Sequence, residues 1–112
     1  MLASCLTLIE CERVLMRAVT KKLLPEAAAA ERRGLLARSA GHWVTFDIDA
    51  EVMERARRPF PPEPIRTLDA IHLATADLAR SLVPGLAVLS LDERVRRSAE
   101  QMGFRILPGD AP

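Results

Sequence analysis

The end of the chain limits the fold most. A short apolar run, Leu86-Ala-Val-Leu89, precedes a stretch that Asp92 opens as a helix and Gly103 closes, and a second apolar run follows, Phe104-Arg-Ile-Leu107. Strand, helix and strand in direct succession leave room for one crossover, so the two strands are expected side by side and parallel. An α/β fold with a parallel sheet follows. The upstream sequence agrees with it. Leu6, Ile9, Arg13 and residues 16–18 continue a helical pattern over about residues 5–20, with Ser4 as its cap. Pro25 and Glu26 suit the first turn of a second helix, which runs from Ala27 to Ala40 past Gly34 and ends at Gly41. Trp43, Val44, Phe46 and Ile48 are strand formers, and Asp49 caps a helix over residues 50–57. Pro59-Phe-Pro-Pro-Glu-Pro64 is a stiff loop, because each proline removes a donor and restricts the residue before it. Thr67 is expected to cap a helix from Leu68 to Ser81, with Leu68, Ile71, Ala74 or Thr75, and Leu78 on one face.

A chain of 112 residues, 49% hydrophobic, can bury one modest core, which reads as a single domain over residues 1–112. Its 16 Lys+Arg against 15 Asp+Glu leave a formal charge of +1, so contact with nucleic acid depends on local clustering. Cys5 and Cys11 fall on different faces of the first helix, roughly 9 Å apart along its axis, and are not expected to form a disulfide. Reduced thiols, no apolar run of about 18 residues and no signal peptide indicate a soluble cytoplasmic protein.

Ligands of parallel α/β folds gather beyond the carboxyl ends of the strands, where helices begin. Asp92 directly follows the strand ending near Ser90, and Asp69 lies in the first turn of the helix that Thr67 opens. For a lone aspartate at a helix start, capping and the helix dipole are the favoured explanation, and position alone does not make either one a ligand. Glu10 sits between Ile9 and the Val14-Leu15-Met16 run, an apolar setting that demands a partner; Arg13 or Arg17 could be that partner. If the three acids share a cleft they repel one another unless hard divalent cations neutralise them, and oxygen-only ligation favours Mg²⁺ or Mn²⁺. Such ions hydrolyse phosphodiesters by activating a water and stabilising the leaving oxygen. His72 follows Asp69 by one helical turn and reads as a structural histidine, since no second His or Cys cluster supports a transition-metal site. Thr67 and Ser90 could act as supporting donors, Arg55, Arg57, Arg58, Arg94, Arg96 and Arg97 could contact phosphates, and Asp77 and Glu93 read as surface acids.

The run Arg66-Thr-Leu-Asp-Ala-Ile-His-Leu-Ala-Thr-Ala76 resembles the signature helix of PIN domains of the VapC toxin type. Leu6-Thr-Leu-Ile-Glu10 resembles the earlier acid-bearing segment of that family, Val88-Leu-Ser-Leu-Asp92 its final acidic position, and Gly103-Phe-Arg-Ile-Leu-Pro108 its C-terminal strand. The resemblance covers nearly the whole chain. It implies a PIN-like parallel sheet flanked by helices, and an endoribonuclease toxin of a type II toxin–antitoxin pair. Glu10, Asp69 and Asp92 would be its catalytic and Mg²⁺-binding or Mn²⁺-binding residues, with a water as nucleophile and RNA as substrate. It also implies a homodimer and a cognate antitoxin protein. Members of the family begin with a hydrophobic strand ending in Asp, which has no counterpart here, so the expected fold is N-terminally truncated, either because the start lies upstream of Met1 or because the chain is a degenerate remnant. The loss of one ligand and of ladder partners makes the alternative a catalytically inactive remnant that binds an antitoxin or dimerises. A nucleotide-binding module is disfavoured, because the glycines are scattered at 34, 41, 85, 103 and 109 with no phosphate loop after a strand.

Overall fold

The computed structural model describes residues 2–109 and separates into two compact units, Met1–Asp47 and Ile48–Pro112. The first holds strand β1 (Leu2–Ser4), helices α1 (Thr7–Thr20) and α2 (Glu26–Ala40), and strand β2 (Val44–Phe46). β1 and β2 pair in parallel, Leu2 with Val44 and Ser4 with Phe46, and α1 packs against α2. β1 is not expected from the sequence, whose first residues lead directly into the helix over about residues 5–20. Three residues carry no periodicity, and this strand exists because β2 supplies its ladder. That pairing also moves the start of α1. Ser4 belongs to the strand, and its Oγ accepts the Leu6 N–H at 3.3 Å, so it forms a local turn and does not cap the helix. Leu6 occupies the cap position without a side-chain bond. Helix α2 begins after Pro25, as its fixed φ favours, and ends at Gly41, whose φ of −60° is ordinary right-handed backbone.

The second unit holds α3 (Ala50–Ala56), α4 (Thr67–Ala79), strand β3 (Ala87–Leu89), α5 (Glu93–Gln101) and strand β4 (Arg105–Leu107). β3 and β4 are parallel, with Val88 opposite Ile106, so the strand–helix–strand reading holds. Asp49 caps α3 by accepting the Val52 N–H at 2.9 Å. Helix α4 starts one residue earlier than expected. The Arg66 carbonyl already accepts the Ala70 N–H at 2.8 Å, which makes Thr67 the first helical residue and leaves its hydroxyl no capping role. Leu68, expected on the buried face, is 48% exposed; Ala70, Leu73, Ala74, Thr75 and Ala79 are the residues α4 buries. Gly103, at φ +93°, turns the chain from α5 into β4 through a backbone geometry that a side chain would strain.

The core of this unit joins Leu73 and Ala74 of α4 to Val52, Phe60, Val95, Ala99 and Phe104. The proline-rich loop carries Phe60 inward, and Glu63 holds the loop closed by accepting the Phe60 N–H at 2.7 Å and the Ile65 N–H at 2.6 Å. Around the core runs a polar belt. Asp77 of α4, expected as a surface acid, is half-buried and accepts from Arg55 Nε at 2.7 Å and from Arg80. Arg55 lies 4.0 Å from the Phe60 ring centroid and Arg80 lies 4.5 Å from that of Phe104. Arg55 is therefore turned inward rather than held out for phosphate. Among the described residues no helix is long and apolar enough to cross a membrane.

Leu73, 1% exposed, touches the centre of this core, so Leu73→Ala should cost about 2–5 kcal/mol in urea unfolding. Asp77→Ala should cost about 1–3 kcal/mol, because it strands two guanidinium groups whose partner was half-buried. A loss under about 0.5 kcal/mol at Asp77 would mean that the belt is ordinary surface polarity.

Candidate functional site

Of the two candidate acids in the second unit, Asp92 has the better-defined hydrogen bonds. Its backbone leaves the strand end in an extended conformation, and its Oδ1 accepts the N–H groups of Arg94 at 2.9 Å and Val95 at 3.2 Å. Capping thus uses one carboxylate oxygen, and Oδ2 takes no hydrogen bond among the described residues. The capping and ligand readings of Asp92 therefore need different oxygens and do not compete. Ser90 supports this corner: its Oγ accepts the Asp92 N–H at 3.1 Å.

Asp69 lies in the first turn of α4, half-buried, where unpaired amide groups and the helix dipole favour negative charge. His72 stands one turn further along the same helix and is also half-buried. α4 and α5 pack on each other, so both aspartates sit at amino ends of helices sharing one core. Glu10 belongs to the first unit, half-buried in the first turn of α1. Next to it, the Cys11 thiol has its pKa raised, first by burial and then by the charges of Glu10 and Glu12; Cys5 and Cys11 are both free thiols. Taken by itself, neither unit contains, among the described residues, a group of three or more His, Cys, Asp or Glu side chains that could hold a metal ion.

The arginines sort into two sets. Arg55 and Arg96 are committed to the protein itself: Arg96 donates to the carbonyls of Ser90, Leu107 and Pro108. Arg57 keeps only an exposed pair with Glu54 at 3.6 Å, and Arg94 and Arg97 are exposed on α5. Arg97 borders a concavity of about 440 Å³ whose walls include Phe104 and Ile106, and a second of about 350 Å³ lies beside Arg58 and Leu78. Neither concavity is lined by Asp69 or Asp92. The roles of Asp77 and Arg96 differ from the surface acid and phosphate contact expected of them. The one signal for Arg96 was its spacing, a helical turn beyond the cap Asp92.

The PIN domain family model matches residues 1–101, which reaches across both units. The chain is 36% identical over 111 residues to Ribonuclease VapC35 of Mycobacterium tuberculosis, covering 98% of this chain and 74% of that relative. It is 33% identical over 94 residues to Ribonuclease VapC46 of Mycobacterium tuberculosis, covering 80% of this chain and 65% of that relative. No solved structure matches the chain. The parallel strands, the acid-bearing helix starts and this kinship agree: the chain belongs to the PIN domain family and is similar to its VapC ribonucleases.

Proposed function

We propose that this protein is a metal-dependent endoribonuclease, the toxin of a type II toxin–antitoxin pair, acting on RNA phosphodiesters and restrained by a cognate antitoxin protein. The observation that carries this reading is the 36% identity to a protein named as a ribonuclease over 98% of the chain. Glu10, Asp69 and Asp92 are the proposed catalytic and metal-binding residues, and a homodimer is the proposed assembly. The donor chemistry suits the group. All three are carboxylates, which are hard oxygen ligands matched to Mg²⁺ or Mn²⁺, and the outer oxygen of Asp92 is available while the inner one is fixed. When bound, such an ion lowers the pKa of a water and stabilises charge on the leaving oxygen of the phosphodiester.

The protein's own contribution is orientation and charge. Two amides of α5 hold the Asp92 carboxylate in one rotamer, so little conformational entropy remains to be lost when a ligand binds. The α4 amino end keeps Asp69 in a field that favours its anion. Arg94 and Arg97, exposed on the helix that Asp92 opens, are the side chains best placed to meet RNA phosphates.

The test is cleavage of a mixed RNA by the purified chain with Mg²⁺ or Mn²⁺, and with EDTA. Metal-dependent cutting that Asp69→Asn reduces at least about a hundredfold is the expected result. Folded protein that binds an antitoxin but never cuts RNA would instead establish the inactive, partner-binding alternative. A second prediction separates the two uses of Asp92. Asp92→Asn should keep the cap and nearly all stability yet lose Mn²⁺ affinity, whereas Asp92→Ala should lose affinity and a further 0.5–2 kcal/mol, roughly, of stability. Unchanged Mn²⁺ binding in the Asn variant would leave Asp92 with capping alone.

A further inference from the structure

The segment from Ser90 to Asp92 is not held by burial. Leu91 is 86% exposed and Leu89 before it is 67% exposed, so no apolar packing fixes the backbone that delivers the Asp92 carboxylate. Hydrogen bonds must do so. Ser90 N–H completes the ladder by donating to the Leu107 carbonyl at 3.0 Å, and the Asp92 N–H donates to Ser90 Oγ at 3.1 Å. From outside the segment comes Arg96. Its Nη1 donates to the Ser90 carbonyl at 2.8 Å and the Leu107 carbonyl at 3.2 Å, and its Nη2 to the Pro108 carbonyl at 2.9 Å.

We propose that Arg96 is a positioning residue for Asp92, fixing its carboxylate by clamping Ser90 to the ends of β3 and β4. The contacts form a closed ring: guanidinium to Ser90 carbonyl, Ser90 hydroxyl to Asp92 amide, Asp92 Oδ1 to the Arg94 and Val95 amides, and α5 back to Arg96. A planar fork of fixed donors suits carbonyls converging from two strand ends, and a lysine can satisfy only part of that set. The guanidinium charge also offsets the partial negative charge of those carbonyls, which would otherwise act against a carboxylate at the same corner. The phosphate-gripping role first considered for Arg96 is thus replaced by an internal one.

The consequence for metal binding rests on the reading of Asp92 as a ligand, so the test carries two readouts on the full 112-residue chain. One is amide hydrogen exchange at Asp92, Arg94 and Val95; the other is Mn²⁺ affinity by calorimetry. Arg96→Met should speed exchange at those amides about tenfold or more and weaken Mn²⁺ binding about tenfold to a hundredfold, with Arg96→Lys recovering part of each. The Val52 amide, bonded to Asp49 Oδ1 at 2.9 Å in the equivalent cap of α3, should keep its exchange rate. Unaltered exchange at Arg94 and Val95 overturns the proposal, whatever the affinity does, and so does an equal rise at Val52, which would mean a general loosening. An unsubstituted chain that binds no Mn²⁺ removes the metal reading of Asp92, and the exchange rates still decide whether Arg96 positions it.

Discussion

The second unit depends on what Asp77 does between two arginines. A carboxylate with 20% of its side chain exposed, paired with an Arg55 side chain at 13%, is too deeply set for a surface ion pair and too wet for a costly buried one. Its two oxygens take different partners, Arg55 from α3 and Arg80 from the carboxyl cap of α4. Each arginine then spends its remaining surface on the core: one covers Phe60, while the other covers Phe104 and donates to the Met102 carbonyl at 2.6 Å. The acid therefore ties the proline-rich loop, two helices and the turn into β4 to one point. The aromatic side chains beneath are buried to 2% and 6% exposure partly because guanidinium planes close over them.

That arrangement leaves the amino ends of α4 and α5 clear of the belt. Arg55 and Arg80 meet Asp77 near the carboxyl half of α4, whereas Asp69 lies in its first turn. The ion pairs of the belt are thus made near one end of the helix, and Asp69 lies at the other, three residues after Arg66 at the cap position. α5 differs: Asp92 at its start is closely followed by Arg94, Arg96 and Arg97, while Met102, whose carbonyl Arg80 takes, is at its close. The first unit is built more thinly. α1 buries no residue completely, and Ile9, Val14 and Met16 remain 55%, 54% and 43% exposed. Its stability rests on the β1–β2 ladder and on the contact of α1 with α2.

Much of this was legible in the residues. Asp49 and Asp92 were readable as helix starts because a cap is a bond to an amide two or three positions on, encoded within a few residues. Gly103 and the apolar runs on either side of α5 were enough for the parallel pair. Ser4 and Thr67 had the right chemistry for caps and the wrong backbone: one is drawn into a strand by Phe46, and the other is already helical because Arg66 closes the first turn. Of the candidate acids, Asp92 gained a geometry with one oxygen fixed, Asp69 gained a helix start, and Glu10 gained a half-buried place on α1.

By itself the sequence determined the local choices: helix starts, breakers, the crossover that makes strands parallel, and the acid-bearing motifs that mark a PIN domain. Those follow from interactions between residues a few positions apart, whose energies hardly depend on the rest of the chain. Only the tertiary structure decided that Leu2–Ser4 is a strand, since its partner Val44 lies far along the chain. It alone turned Arg55 and Arg80 onto Asp77 and set Arg96 across two strand ends, 11 and 12 positions from the carbonyls of Leu107 and Pro108. A guanidinium is equally plausible in solvent, on a phosphate or over a ring. Its role is fixed by the carbonyls and aromatic faces that packing brings within reach, and composition carries no record of them.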